Sequence, residues 1–341
     1  MPAHRFSRAV RCSIVVVFLA ALAVLGGLSF TGGTPTDATG AVPPTGAHSR
    51  DASSTGTGTL SAVDVADTAS SKDPFQGVLE YLHTRQGVAQ VALFDKVTGK
   101  TYLLSDGTNA QYTASIVKAD ILAMWLKQLQ GTPGSIPSNV PYSIEYLMRN
   151  MITMSDNAAA TSLFYFGGGC NALTQFNTAI PTTDTTVGCE SPTYYGWGNT
   201  TTTAADQVNI VRTFAYDNNI LTTNARDYGL HLMESIIPGQ RWGVTCGPWG
   251  TACNFPDYAD PVPGVTVALK NGWKYVPTCT KQDESCPWQV NSMGWVQGKG
   301  RDYVLAVLTT DDPVGKGVVG FNYGIATTQG VSQRIWDNLA P

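Results

Sequence analysis

The residue pattern predicts an α/β (α+β) architecture: one sheet built from both ends of the folded unit, with an all-helical region inserted between them. Two observations carry this. Strand-like runs occur near the start of the unit and again near its end, and the long stretches between them have helical spacing. The folded unit begins near Asp73, where Phe75, Val78, Leu79 and Leu82 recur at helical intervals up to Arg85. Val88–Asp95 and Thr101–Leu104 read as two strands joined by the turn Val97-Thr98-Gly99-Lys100. An apolar helix follows over Ser115–Leu129. A second spans Ile144–Phe166 and is interrupted near Ser155, and Gly167-Gly168-Gly169 reads as a helix end. Thr202–Tyr216 and Ala225–Ile236 are helical. Strands are expected over Val265–Leu269, Gln289–Gln297 and Asp302–Leu308, and a last helix over Thr327–Leu339.

Composition bounds the function. The 341 residues are 43% hydrophobic and only 13% charged, which excludes wholesale disorder. A net charge of −4 without a basic stripe argues against nucleic acid as a partner. Four histidines without His-x-x-x-His or Cys-x-x-Cys spacing give no metal site, and no phosphate or dinucleotide loop is present, so no cofactor is expected.

Arg5, Arg8 and Arg11 precede an apolar run from Ser13 to Phe30, the pattern of a signal peptide or, alternatively, an N-terminal anchor over residues 1–30. Either way the bulk of the protein crosses the membrane, so a secreted or extracytoplasmic location is expected, with membrane contact only through this segment. Residues 31–72, rich in Thr, Gly, Ser, Ala and Pro, read as a flexible linker to a domain over 73–341. Cysteine usage agrees with export. Apart from Cys12 there are six, and near-neighbour loop closure suggests Cys170–Cys189, Cys246–Cys253 and Cys279–Cys286 among fifteen possible connectivities.

Three short motifs hold the chemistry. Ser115-Ile-Val-Lys118 opens the first apolar helix, where a Ser and a Lys three apart share one face and the amine can reach the hydroxyl. The helix start offers free backbone donors for an oxyanion, and a desolvated lysine can serve as a base near neutral pH. Ser155-Asp156-Asn157 places polar groups inside an otherwise apolar helical stretch, aimed into a cleft or capping a helix. Lys270-Asn271-Gly272-Trp273 ends a strand whose glycine lets a ligand approach the backbone.

In this order the motifs resemble those of the class A β-lactamases and the related penicillin-binding, D-alanyl-D-alanine peptidase-like serine hydrolases, whose established signature is Ser-x-x-Lys, Ser-Asp-Asn and Lys-Thr-Gly. The resemblance runs from about Asp73 to the C-terminus and is closest over Met151–Ala160, with further likeness at Thr200–Thr203 and Gly300–Thr310. It implies a three-layer α/β/α sandwich with an antiparallel sheet. It also implies catalytic roles: Ser115 as nucleophile, Lys118 as its deprotonating partner and Ser155 as proton relay to the leaving nitrogen. Asn157 would hold the substrate amide and Lys270 would attract a substrate carboxylate, with Asn271, Gly272 and Trp273 along the same strand binding substrate. The amides of Ser115 and Trp273 would form the oxyanion hole.

Departures from the family pattern are visible. Asn271 replaces a Thr or Ser, Trp273 replaces a small residue, and the interval from Ser115 to Ser155 is short. The family's Glu-x-x-Leu-Asn reduces here to Glu190-Ser-Pro-Thr-Tyr194, so Glu190 is the candidate deacylating base, the alternative being an exposed loop acid. His83 and His231 have no acid at triad spacing and read as surface or packing residues. Tyr194, Tyr195, Trp197, Trp242 and Trp249 read as core, with a cleft lining as the alternative.

The resulting expectation is an exported, monomeric serine hydrolase that opens a small-molecule β-lactam through an acyl-enzyme. The alternatives are a D-alanyl-D-alanine carboxypeptidase acting on a cell-wall peptide, and a catalytically weak binding or sensor protein of the cell envelope.

Overall fold

The computed structural model describes residues 61–62, 73–105, 110–131, 142–189, 195–248, 262–276, 286–313 and 320–341. All of these belong to one unit, Gly56–Pro341. The strands are β1 (Ser61–Ala62), β2 (Val88–Asp95), β3 (Lys100–Ser105), β4 (Gln111–Tyr112), β5 (Thr201–Thr202), β6 (Val265–Tyr275), β7 (Trp288–Gly298) and β8 (Arg301–Asp312). The helices are α1 (Val78–His83), α2 (Val117–Leu129), α3 (Tyr142–Thr153), α4 (Asn157–Phe166), α5 (Gly169–Thr178), α6 (Ala204–Ala215), α7 (Thr223–Glu234) and α8 (Gly320–Asn338).

Six strands form one sheet in the order β1-β3-β2-β8-β7-β6, antiparallel throughout. Strands from the two ends of the unit meet where β2 pairs with β8, Val91 opposite Val307. The side-chain period of two sorts each central strand between two cores. Ala92 and Phe94 of β2 and Val304, Ala306 and Leu308 of β8 pack against helices α2 to α7. Their neighbours Val91, Leu93, Leu305 and Val307 pack with Val78 and Leu82 of α1 and Val331 and Ile335 of α8. The result is a three-layer sandwich. At the β2–β3 turn Asp95 accepts from Val97 N (3.0 Å) and Thr98 Oγ1 (2.7 Å).

Helix α2 runs through the larger core, and every residue from Val117 to Leu126 is buried. A helix enclosed on all sides carries its polar residues inward, which is how Lys118 and Asp120 come to be fully buried.

Several elements differ from expectation. The strand expected to stop at Leu269 continues through the Lys270–Trp273 motif to Tyr275, because that segment pairs with β7 residue by residue. The last helix starts at Gly320, not Thr327, and the helix expected from Ser115 opens as a 3-10 turn, Ala114–Ile116. The three glycines end α4 as read, yet Gly168, with φ of 103°, also starts an unexpected helix, α5. Within the expected linker, Ser61 and Ala62 pair with β3. The rest of residues 1–72 lies outside the described residues.

Cys170 and Cys189 form the expected disulfide, tying the start of α5 to the loop before α6, with a Cα–Cα distance of 5.4 Å. Cys246 and Cys286 are also disulfide-bonded. The pairings expected for them involve Cys253 and Cys279, which lie outside the described residues, as does Cys12.

Candidate active site

Three elements converge on one cleft. The first is the turn before α2. Thr113 N donates to Thr200 O (2.8 Å), and Asn291 Nδ2 on β7 donates to the carbonyls of Tyr112 (2.9 Å) and Thr113 (3.1 Å). The chain then turns at Ala114, whose φ of 48° is costly for a residue with a Cβ. Ser115 follows, half-buried, at the edge of an open cleft of about 520 Å³.

The second element is the break between α3 and α4. Ser155 has φ of 59°, and Asp156 caps α4 by accepting from Ala159 N (2.7 Å). This break faces Lys118. The Lys118 amine donates to Ser155 O (2.6 Å), Asn157 Oδ1 (2.7 Å) and Ser155 Oγ (3.1 Å). It lies 5.0 Å from the centre of the Trp197 ring. Burial lowers its pKa to about 7, opposed by the charge of Asp156.

The third element is β6, on which Lys270 reaches Ser155 and Gly272 lies against the turn that carries Ser115. The Lys270 amine donates to Ser155 Oγ (3.0 Å) and to Asn271 O (2.8 Å). Burial first, and the nearby Lys118 amine second, hold its pKa well below the usual lysine value. Gly272 lies against the nucleophile turn, where a Cβ would sit 2.6 Å from Ser115 N and 2.7 Å from Ile116 N. Only glycine lets the strand come this close.

Two side chains have partners that the sequence did not suggest. Lys118 does not hydrogen-bond Ser115: its three donors all go to Ser155 and Asn157. Ser115 stands in the 3-10 turn ahead of the α-helix that carries Lys118, whose amine is directed to the break between α3 and α4. Asn271 does not face the cleft. Its amide is spent instead on Gln240 O (2.7 Å) and Trp242 O (3.1 Å), on the face of β6 opposite to Lys270.

Trp273 and Tyr195 line the cleft, Trp197 is buried in the core with one side on the cleft, and Trp242 is core. Glu190, Tyr194 and Trp249 lie outside the described residues. His83 and His231 are exposed on α1 and α7. Among the described residues no carboxylate hydrogen-bonds or ion-pairs with Lys118 or Lys270.

A model of the beta-lactamase enzyme family matches residues 129–339. The chain belongs to the beta-lactamase enzyme family. Solved structures of similar fold include a single-residue variant of the TLA-1 extended-spectrum β-lactamase, at 18% identity and a TM-score of 0.58, over 79% of this chain and 98% of that one. A class A β-lactamase from Mycobacterium abscessus is 17% identical, with a TM-score of 0.57 over 77% and 98% of the two chains. PBP-A is 20% identical, with a TM-score of 0.57 over 77% and 94%. No curated protein matches the sequence. The fold is thus that of the class A β-lactamases, and this β-lactamase-family chain has a serine hydrolase fold.

Sequence reading missed two sets of residues in this family site. Asn291 and Gln289 hold the carbonyl of Tyr112, and their only trace is buried polar residues at alternate positions of an apolar strand. For Trp197, already a candidate cleft residue, what sequence reading missed is its place against the Lys118 amine, since nothing in the order of residues links the two.

Proposed function

We propose that this protein is an exported serine hydrolase that opens β-lactams through an acyl-enzyme on Ser115. The observation that carries the reading is the shared hydroxyl of Ser155, which receives both buried amines while Ser115 stands at the open cleft. With a pKa near 7, Lys118 is uncharged in about half the molecules at neutral pH, and can take the Ser115 proton once it releases one of its present acceptors. The Ser115 oxygen then bonds to the lactam carbonyl carbon. The amides of Ser115 and Trp273, brought together by Gly272, stabilise the oxyanion. As the carbon–nitrogen bond breaks, Ser155 gives its proton to the departing nitrogen and is reprotonated by a lysine. Asn157 holds the substrate amide, and Lys270 attracts a substrate carboxylate. Water, activated by Glu190, cleaves the acyl ester and restores the serine. Two disulfide-bonded cysteines joined in a loop, Cys170 and Cys189, support an oxidising extracytoplasmic location.

Replacing Ser115 with Ala is expected to abolish covalent labelling by a fluorescent penicillin; undiminished labelling overturns the assignment of the nucleophile.

A second reading has its own observation. Among the described residues no carboxylate touches Lys118, and the Trp197 ring covers one side of its amine. An acyl-enzyme formed there without a base for water would persist, as in a penicillin-binding D-alanyl-D-alanine peptidase. Glu190→Gln separates the two: trapped acyl-enzyme in the variant supports hydrolysis by Glu190. Unchanged turnover removes Glu190, and D-alanine release from a cell-wall pentapeptide with negligible penicillin turnover favours the peptidase.

A further inference from the structure

The larger core encloses a set of polar groups that the catalytic reading does not use. Asp120 on α2 is fully buried, and neither of its carboxylate oxygens has a hydrogen-bond partner. Asn177 of α5 and Gln207 of α6 are the amide side chains beside it. Both polar atoms of the Asn177 side chain and the oxygen of Gln207 are buried and unpartnered as well. Gln111 of β4 is the direct partner of Thr202 on β5, so the two side chains share a face, and its buried amide is also unpartnered.

Following the protons fixes the orientation of Gln207. Thr185 Oγ1 donates its one proton to Asp206 Oδ2 (2.7 Å), so Thr202 Oγ1, 2.7 Å from Thr185 Oγ1, must donate to Thr185. With that proton spent, Thr202 accepts from Gln207 Nε2 (3.0 Å). The Gln207 amide therefore cannot flip, and its oxygen stays without a donor next to the Asp120 carboxyl.

Oxygens are in surplus here. Asp120, Asn177, Gln207 and Gln111 bring five unpartnered oxygens against two unpartnered nitrogens. Asp206 adds a second negative charge nearby, and among the described residues no basic side chain ion-pairs with either carboxyl. A buried carboxylate needs a counter-charge, and a shell of oxygens suits a hard cation. A proton on Asp120 answers one of these oxygens, whereas an ion among them answers several. One positive charge matches the single carboxylate whose two oxygens are both unpartnered.

We propose that Asp120, Gln207, Asn177 and Gln111 form an internal site for a monovalent metal cation of the sodium or potassium class. The site does not depend on the acyl-enzyme reading. Cation and proton compete for Asp120.

The test compares thermal unfolding of the intact protein at pH 8 in sodium, potassium, calcium or tetramethylammonium chloride at equal ionic strength, the last cation being too large for the site. Sodium or potassium is expected to raise the melting temperature by about 4 °C over tetramethylammonium, as for a ligand about tenfold above its dissociation constant. Whichever gives the larger rise names the ion. At pH 5, where a proton fills the carboxyl, the rise should vanish. Asp120→Asn should melt at one temperature in all four salts. Gln207→Met, which keeps the charge but removes an oxygen, should at least halve the rise. Equal melting of the wild type in all four salts, or a full rise in Asp120→Asn, overturns the site and leaves a proton as the occupant. Should Asp120→Asn fail to fold, an undiminished rise in Gln207→Met overturns it instead. A rise with calcium alone contradicts the single charge and overturns it too.

Discussion

The amines of Lys118 and Lys270 end on one acceptor, the hydroxyl of Ser155, at 3.1 and 3.0 Å. A hydroxyl oxygen has two lone pairs, so it can accept from both and still carry its own proton. Two ammonium groups this close in a buried site repel each other, which favours an uncharged lysine at neutral pH. The arrangement stores a base and an acid around a single proton-carrying group.

The acylation rate should therefore follow the protonation of Lys118. Below pH 7 its amine is an ammonium that cannot accept a proton, so the rate should fall about tenfold per pH unit, and level off above pH 7. Asp156→Asn keeps a side chain able to cap α4 but removes the charge that raises the Lys118 pKa. The falling limb should then move to lower pH. Labelling kinetics from pH 5 to 9 measure both effects, and a flat profile in the wild type contradicts them.

Asp120 makes a prediction about stability. It is fully buried on α2, both carboxylate oxygens are without a hydrogen-bond partner, and burial raises its pKa to about 8. A carboxyl with a raised folded-state pKa binds more protons when folded than when unfolded between about pH 4 and 8. Its contribution is therefore most favourable below that window and declines as pH rises through it. Asp120→Asn should remove this decline. The stability of the variant relative to wild type should rise by about 3 kcal/mol between pH 5 and 8. Urea unfolding at the two pH values reads the difference.

Gly272→Ala tests the close approach of β6 to the nucleophile. Its methyl group would lie 2.6 Å from Ser115 N, so the turn or the strand must move. Acylation should slow by about 100-fold, as expected for a displacement approaching 1 Å at a reacting group. A rate within twofold of wild type would show that the contact is unimportant.

The Cys170–Cys189 bridge closes a loop with a sequence separation of 19. The double variant Cys170→Ala/Cys189→Ala should lose about 3 kcal/mol of stability through regained chain freedom. Chemical denaturation measures the loss.

Much of this was legible in the residues themselves. The helix break at Ser155 showed because Ser, Asp and Asn interrupt an apolar run, and the β2–β3 hairpin showed through its turn. The end of β6 did not, because Lys270, Asn271 and Gly272 interrupt the apolar alternation that marks a strand. The inward placement of Asn271 follows from the same alternation once the strand is known to continue. Helix α5 was hidden because three consecutive glycines signal an end more strongly than a beginning. The partners of the Lys118 amine, Ser155 and Asn157, lie far along the chain, and spacing within one helix carries no signal of them.

The most direct test is intact-mass spectrometry of the purified protein, followed over time with benzylpenicillin, beside Ser115→Ala. The account predicts that wild type gains the mass of one penicillin and later returns to its starting mass, while the variant never gains it. No adduct on the wild type, or an equal adduct on the variant, would contradict it.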